Sequence, residues 1–243
     1  MAGYIGRMLR LLQRISDALP GQCVVCHRWP AQPVCDGCIE RFAQPVLRCR
    51  TCATPVPGGL ARCGACVLAP GPLDACVAAV TYAYPWSLLI GRFKFDAQPG
   101  WATSLSILMR SAPWVEPALE QADLVVPIPL AHQRLRQRGF NQALELARCL
   151  APGKTVHDLL LRRRDTAPQT TLRRAARMRN VQDAFVLDPL RAQRLEQARV
   201  VLVDDVMTSG ASLHAAARVL RAGGAAHITG MVLARADRHG LDG

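Results

Sequence analysis

The sequence predicts an α/β protein, a parallel sheet flanked by helices, preceded by a small cysteine-rich module. Two observations carry this reading. From residue 76 onward, short apolar segments alternate with stretches of helical periodicity, as consecutive βα units require. Eight of the 10 cysteines lie between positions 23 and 66, all of them in Cys-x-x-Cys pairs. With 243 residues, against about 150 per domain, there is room for one full domain and a lesser one. Half of the residues are hydrophobic and mean hydropathy is +0.10, which excludes general disorder. No apolar run nears the ~18 residues that cross a bilayer, so no membrane span is expected. The organisation read from the chain is an amphipathic helix over 1–20, the cysteine module over 21–68 and the sheet domain over 75–243.

Residues 1–20 place Ile5, Leu9, Leu12, Ile15 and Leu19 at helical spacing. Arg7, Arg10 and Arg14 interrupt the apolar run, and no small-residue cleavage site follows. A basic amphipathic helix packed on the rest of the protein is expected, in preference to a secretory signal or a membrane-surface helix. Without an export signal, the chain is expected in the reducing cytoplasm.

The cysteine pairs are Cys23/Cys26, Cys35/Cys38, Cys49/Cys52 and Cys63/Cys66. A Cys-x-x-Cys turn converges two thiolates on one metal, and two such turns complete a tetrahedral site of the kind Zn²⁺ accepts. Disulfides would need an oxidising compartment, and four repeats exceed what one redox centre uses. Two structural zinc sites are therefore expected, with iron as the alternative metal. Sequential pairing is preferred, although a cross-braced pairing fits the spacing too. Cys76 and Cys149 fall outside the pattern and are read as small hydrophobes.

A Pro/Gly linker over 69–74 leads into the sheet domain. Residues 76–84 read as a strand, and 86–95 and 101–110 as helices. Residues 124–128 form a fully apolar strand followed by a helical stretch through 138–151. Strands are also expected over 200–203 and 228–235, with a helix over 211–222 between them. In parallel sheets of this kind, ligands bind beyond the carboxyl ends of the strands.

The most informative segment runs from Val200 to Ser212. Four apolar residues lead to Asp204 and Asp205, and a short loop, Val206-Met207-Thr208-Ser209-Gly210, then opens a helix at Ala211 and Ser212. Hydroxyls and free amides at a helix N-terminus make a phosphate site. Adjacent carboxylates suit vicinal sugar hydroxyls. Together they describe a cradle for a ribose 5-phosphate. A Walker-type reading of the acidic pair lacks its partner, because no GxxxxGK[ST] occurs.

Two other segments fit the same chemistry. Pro127-Ile128-Pro129 ends the strand at 124–128, and Arg134, Arg136, Arg138 and Asn141 follow it. A polar, basic stretch then carries Gln169, Arg177 and Asn180. Residues 130–180 hold twelve Arg and Lys against three acids, nine of the net +12 charges of the chain. Phosphate-rich partners are favoured by that balance.

The Val200–Ser212 segment resembles the phosphoribosyl pyrophosphate (PRPP) signature of type I phosphoribosyltransferases. The paired cysteine knuckles, Arg138-Gly-Phe-Asn-Gln142 after Pro-x-Pro, Gln169…Arg177-x-x-Asn180, and Arg92-Phe-Lys94-Phe extend the resemblance to the ComF family across nearly the whole chain. Met207-Thr208-Ser209 departs slightly from the two threonines common in that family. The resemblance implies a phosphoribosyltransferase-like fold with a double zinc ribbon. It assigns the ribose diol to Asp204 and Asp205, and the 5′-phosphate to Met207 through Ser212. Val206, Pro127, Ile128, Pro129, Lys94, Arg138, Asn141 and Asn180 would complete the PRPP site. Arg177 and Gln169, on the family's flexible catalytic loop, would cover pyrophosphate. It further implies Mg²⁺ with PRPP, a role in natural competence, and single-stranded DNA and competence-machinery proteins such as a helicase or ATPase as partners. The alternative is a PRPP-sensing or nucleic-acid-binding adaptor without turnover.

Overall fold

The computed structural model describes residues 21–96, 98–163 and 184–236. The helix expected over 1–20 and the stretch with Gln169, Arg177 and Asn180 lie outside the described residues. The chain forms two compact units, one ending at Gln44 and one beginning at Pro45. The cysteine module expected over 21–68 thus falls across both: Cys23–Cys38 belong to the first unit, and Cys49–Cys66 share a unit with the sheet.

In the first unit, residues 23–27 make a tight turn in which the His27 N–H bonds the Cys23 carbonyl at 2.8 Å. Helix α1 (Asp36–Phe42) then begins directly after Cys35. The second unit opens with a knuckle of the same kind, in which the Ala53 N–H bonds the Cys49 carbonyl at 2.8 Å. A short helix α2 (Gly64–Leu68) starts after Cys63. At the start of α1 the Cys35 N–H, one of the amides a helix start leaves unpaired, donates to the Cys23 sulfur at 3.4 Å.

The remainder runs β1 (Ala75–Thr81), α3 (Trp86–Phe95), α4 (Trp101–Arg110), α5 (Val115–Gln121) and β2 (Leu124–Pro127). It continues through α6 (His132–Arg138), α7 (Gln142–Leu150), β3 (Leu160–Arg162), β4 (Phe185–Leu187), β5 (Arg199–Met207), α8 (Ala211–Ala222) and β6 (His227–Arg235). Strands β1, β6, β5 and β2 form one wholly parallel sheet in that order, and β3 and β4 an antiparallel pair. Helices cover both faces, so the central strands carry continuous apolar runs, Val200–Val203 in β5 and Met231–Ala234 in β6, rather than alternating. Among the described residues, no helix is long and apolar enough to cross a membrane.

On one face, Leu124, Val126, Val200, Leu202 and Ile228 pack with Leu213, Ala216 and Leu220 of α8, and Cys49, Cys52 and Ala53 join the same core. The second cysteine knuckle is thereby part of the sheet domain's interior. Strand β5 differs from the expected 200–203. It runs on through the acidic pair to Met207, because β6 extends alongside and pairs Val206 with Ala234 and Met207 with Arg235. The helical stretch expected over 138–151 is interrupted. Gly139, at φ 78°, ends α6 in a left-handed turn, and Asn141 caps α7 by accepting the Ala143 N–H at 3.0 Å.

At the amino end of the sheet, the Asp74 carboxylate accepts the N–H of buried Ile228 at 2.7 Å and pairs with Arg221. Partial burial raises the Asp74 pKa, but the Ile228 N–H and the Arg221 charge outweigh that and hold it below its ordinary value. Stability from a depressed carboxylate is present above its unfolded value and lost as pH falls through the folded one. Asp74→Ala should therefore cost about 1–2 kcal/mol at pH 7 by leaving the Ile228 amide unmet. The difference from wild type should shrink below about pH 4. Urea melts at pH 7 and pH 3 check this; a deficit that is the same at both would contradict it.

Candidate functional site

The eight paired cysteines come together as Cys23/Cys26/Cys35/Cys38 and Cys49/Cys52/Cys63/Cys66, with the four sulfurs of each set within 4.8 Å of one another. The pairing is sequential, not cross-braced. Sulfur separations of 3.8 Å (Cys23–Cys38), 3.5 Å (Cys26–Cys35) and 3.7 Å (Cys52–Cys63) match a tetrahedron with metal–sulfur bonds of about 2.3 Å. Burial opposes ionisation of Cys23, yet amides of Cys26, Cys35 and Val25 prevail and draw its thiol down to about 6. Burial, together with contacts from Cys26, Cys35 and Cys23, pushes Cys38 up to about 12. Four crowded sulfurs cannot all ionise unless a cation shares their charge, and these sets can hold zinc.

The second site lies beyond the carboxyl ends of β2 and β5. A cleft of about 230 Å³ is lined by Lys94, Arg134, Arg138, Asn141, Asp204, Asp205 and residues 206–213, among others. Asp205 is buried. Its Oδ1 accepts the Val206 N–H at 2.7 Å, and its Oδ2 forms an ion pair with Lys94 Nζ at 2.8 Å. Asp204 keeps part of its surface toward the cleft, and its Oδ1 accepts the Asp205 N–H at 2.9 Å. Burial, and next the Asp205 charge, raise the Asp204 carboxyl to about 7; the Asp205 amide and Lys94 pull the other way without prevailing.

After the acidic pair, Met207 is buried and Thr208, Ser209 and Gly210 turn into α8. Gly210 has φ 78°, where glycine is favoured, and a Cβ there would also make the end of the Met207 side chain, 2.5 Å away, shift. The Ser209 hydroxyl accepts the Ala211 N–H at 3.3 Å. The cleft therefore offers carboxylates at one side and helix-start amides with hydroxyls at the other.

Most sequence-nominated residues meet here: Lys94, Ile128, Pro129, Arg138, Asn141 and Asp204 through Ser212 all line the cleft. Pro127 does not; it is the last residue of β2. Lys94 is engaged with Asp205 rather than held open for a phosphate. Asn141 is a fastener, with its side-chain amide donating to the Ile128 carbonyl at 3.1 Å while its oxygen caps α7.

Arg134 and Gln142, named in the sequence runs after Pro129 but given no role at the site, also line the cleft, as do Arg162 and Tyr82. Gln142 is the most telling. It is 2% exposed and receives Arg138 on its oxygen at 3.0 Å, while its Nε2 has no hydrogen-bond partner among the described residues. A buried donor without a partner is costly, and this one stands beside the cleft. Its signal was its place in the Arg138–Gln142 run, which carries the family resemblance without giving Gln142 a role of its own. Arg138 lies over the exposed Phe95 ring at 5.1 Å, and burial, joined by the Arg134 charge, lowers its pKa against the opposing pull of Asp205 and Asp204.

A carboxylate pair and a phosphate-type loop at the carboxyl edge of a parallel sheet define a phosphoribosyltransferase-type protein, and the phosphoribosyl transferase domain family matches residues 135–241. The chain is 30% identical over 235 residues to DNA utilization protein YhgH of Escherichia coli O157:H7, covering 89% of this chain and 98% of that one. It is 31% identical over 211 residues to competence protein F of Haemophilus influenzae, covering 84% and 90%. Competence protein ComFC of Bacillus subtilis is 35% identical over 113 residues, covering 46% of this chain and 44% of that one. The chain belongs to the ComF family.

A carboxyl raised above its unfolded value contributes stability that is full below about pH 4 and lost as pH climbs through about 7. Asp204→Asn removes that loss. The variant should be more stable than wild type by roughly 1–3 kcal/mol at pH 8, and the gain should fade toward pH 4. Thermal melts across this range check it, and a variant less stable at pH 8 would contradict it.

Proposed function

We propose that this cleft binds PRPP with Mg²⁺ and that the chain transfers its 5-phosphoribosyl group to an acceptor in the handling of DNA during competence. The observation that carries the reading is the meeting, in one cleft, of Asp204 and Asp205 with the Met207–Ser212 loop. Membership of a family whose relatives are named for competence and DNA utilization supports the setting.

In this reading the two carboxylates accept the ribose 2′- and 3′-hydroxyls, and amides and hydroxyls of Thr208 to Ser212 take the 5′-phosphate. Arg134, Arg138 and Gln142 face the pyrophosphate side. The bond from C1 to pyrophosphate breaks as the acceptor's lone pair bonds to C1, and the acceptor's proton leaves to solvent. The transition state carries positive charge on the ring, which two carboxylates favour, while the arginines favour the departing anion. Mg²⁺ suits oxygen ligands such as Asp204 and Asp205, and when bound with the donor it neutralises leaving-group charge. Arg177, Gln169 and Asn180 are proposed to cover pyrophosphate from the catalytic loop.

A second reading is an adaptor that binds PRPP or single-stranded nucleic acid without turnover. Tyr84 and Phe95 favour it: both are exposed, and Phe95 stacks under Arg138, as a base-stacking surface would need.

Calorimetric titration of PRPP with Mg²⁺ into the full chain should give saturable heat. Asp204→Asn with Asp205→Asn should weaken binding by about 100-fold, two charge-assisted contacts being lost. Pyrophosphate release, screened against bases, amines and single-stranded DNA, separates the two readings. No heat with wild-type, zinc-loaded protein would overturn both forms of PRPP binding.

A further inference from the structure

Arg235, the last residue of β6, is 1% exposed and is not part of the cleft lining. Its Nε donates to the Cys52 carbonyl at 2.9 Å, and its Nη2 to Thr54 Oγ1 at 3.1 Å. Its Nη1 reaches the carbonyls of Met207 at 2.8 Å, of Ala236 at 2.7 Å, and of Thr208. One guanidinium thus joins the backbone of a cysteine in the second cluster to both carbonyls at the entrance of the phosphate-type loop.

The consequence follows from peptide geometry. In a planar trans peptide, the N–H points opposite to the preceding C=O. The cis bonds of the described residues are at Trp29–Pro30 and Tyr84–Pro85, so the loop peptides are trans. Holding the Met207 and Thr208 carbonyls toward Arg235 therefore turns the N–H groups of Thr208 and Ser209 the other way, and both residues line the cleft. The cluster end of this link is itself anchored. Arg48 donates to the Ala53 carbonyl at 3.1 Å and to Thr81 Oγ1 at 2.9 Å, and the Cys76 N–H bonds the Arg50 carbonyl at 2.7 Å.

We propose that Arg235 is a positioning residue for the phosphate-binding loop, and that metal in the Cys49/Cys52/Cys63/Cys66 cluster fixes the frame from which it acts. The Cys23/Cys26/Cys35/Cys38 cluster, in the other compact unit, has no part in this. The consequence for PRPP affinity rests on the proposed donor site, whereas the loop geometry does not.

Hydrogen exchange over Val206–Ala211 reads the loop directly, with Leu124–Val126 of β2 reporting global opening. Arg235→Lys, whose single ammonium cannot span carbonyls on both sides, should raise loop exchange about tenfold while β2 stays protected. Cys49→Ser with Cys63→Ser should do the same, as should wild-type chain stripped of metal by a chelator, which needs no substitution. Cys23→Ser with Cys35→Ser should leave loop exchange unchanged. An unaltered loop in the second-cluster variant and the stripped wild type, or an equal response to loss of the first cluster, would overturn the proposal. Arg235→Lys should also raise the PRPP dissociation constant about tenfold without changing zinc content. If wild-type chain binds no PRPP, the donor-site reading fails, and the exchange pattern alone still decides the role of Arg235.

Discussion

Asp204 and Asp205 sit in a strand whose preceding residues, Val200 to Val203, are buried hydrocarbon. Two like charges in such a place are costly unless cations and amides surround them. Much of the cleft answers that constraint. The last turn of α3 brings Lys94 onto Asp205, and the last turn of α6 brings Arg138 close to both carboxylates. The amides that follow in the chain, those of Asp205 and Val206, close the remaining gaps. Even so, Asp204 stays near neutrality. The fold tolerates this because the acidic pair stands where the sheet ends and ligand can enter.

The cysteine clusters answer a different constraint. A segment of some 45 residues with few large apolar side chains buries too little to fold alone, and metal-bridged thiolates substitute for a core. That argument applies fully to Cys23–Cys38. For Cys49–Cys66 it is incomplete, because Cys49, Cys52 and Ala53 are packed into the same interior as α8 and the sheet. The second knuckle is thus both a metal site and a wall of the main domain.

Much of this was legible in the sequence. The largely apolar runs at 124–128 and 228–235 needed no context, since strands buried on both faces are mostly hydrocarbon. The spacing of the cysteines conveyed both clusters, because ligation geometry is local. What escaped detection was non-local. The length of β5 depends on β6 continuing beside it, and the break at Gly139 depends on Asn141 tying the turn to Ile128. Gln142 stands in a motif of the sequence, but nothing local shows that its nitrogen is buried beside the cleft with no partner among the described residues. Arg235 read as the polar end of an apolar strand, yet it is buried, and its partners lie 28 and 183 residues away.

The resting state of Asp204 bears on how occupancy is felt by the surroundings. Burial and the Asp205 charge, which raise this carboxyl to about 7, let it hold a hydrogen ion more readily than an ordinary one, and in the proposed reading sugar hydroxyls donate more strongly to the ionised form. Filling the cleft would accordingly expel that hydrogen ion into the medium, so uptake of an anionic ligand would be counterbalanced by acid release. Mild acidification would then oppose such a ligand at this carboxyl, giving the site a built-in sensitivity to the proton activity around it.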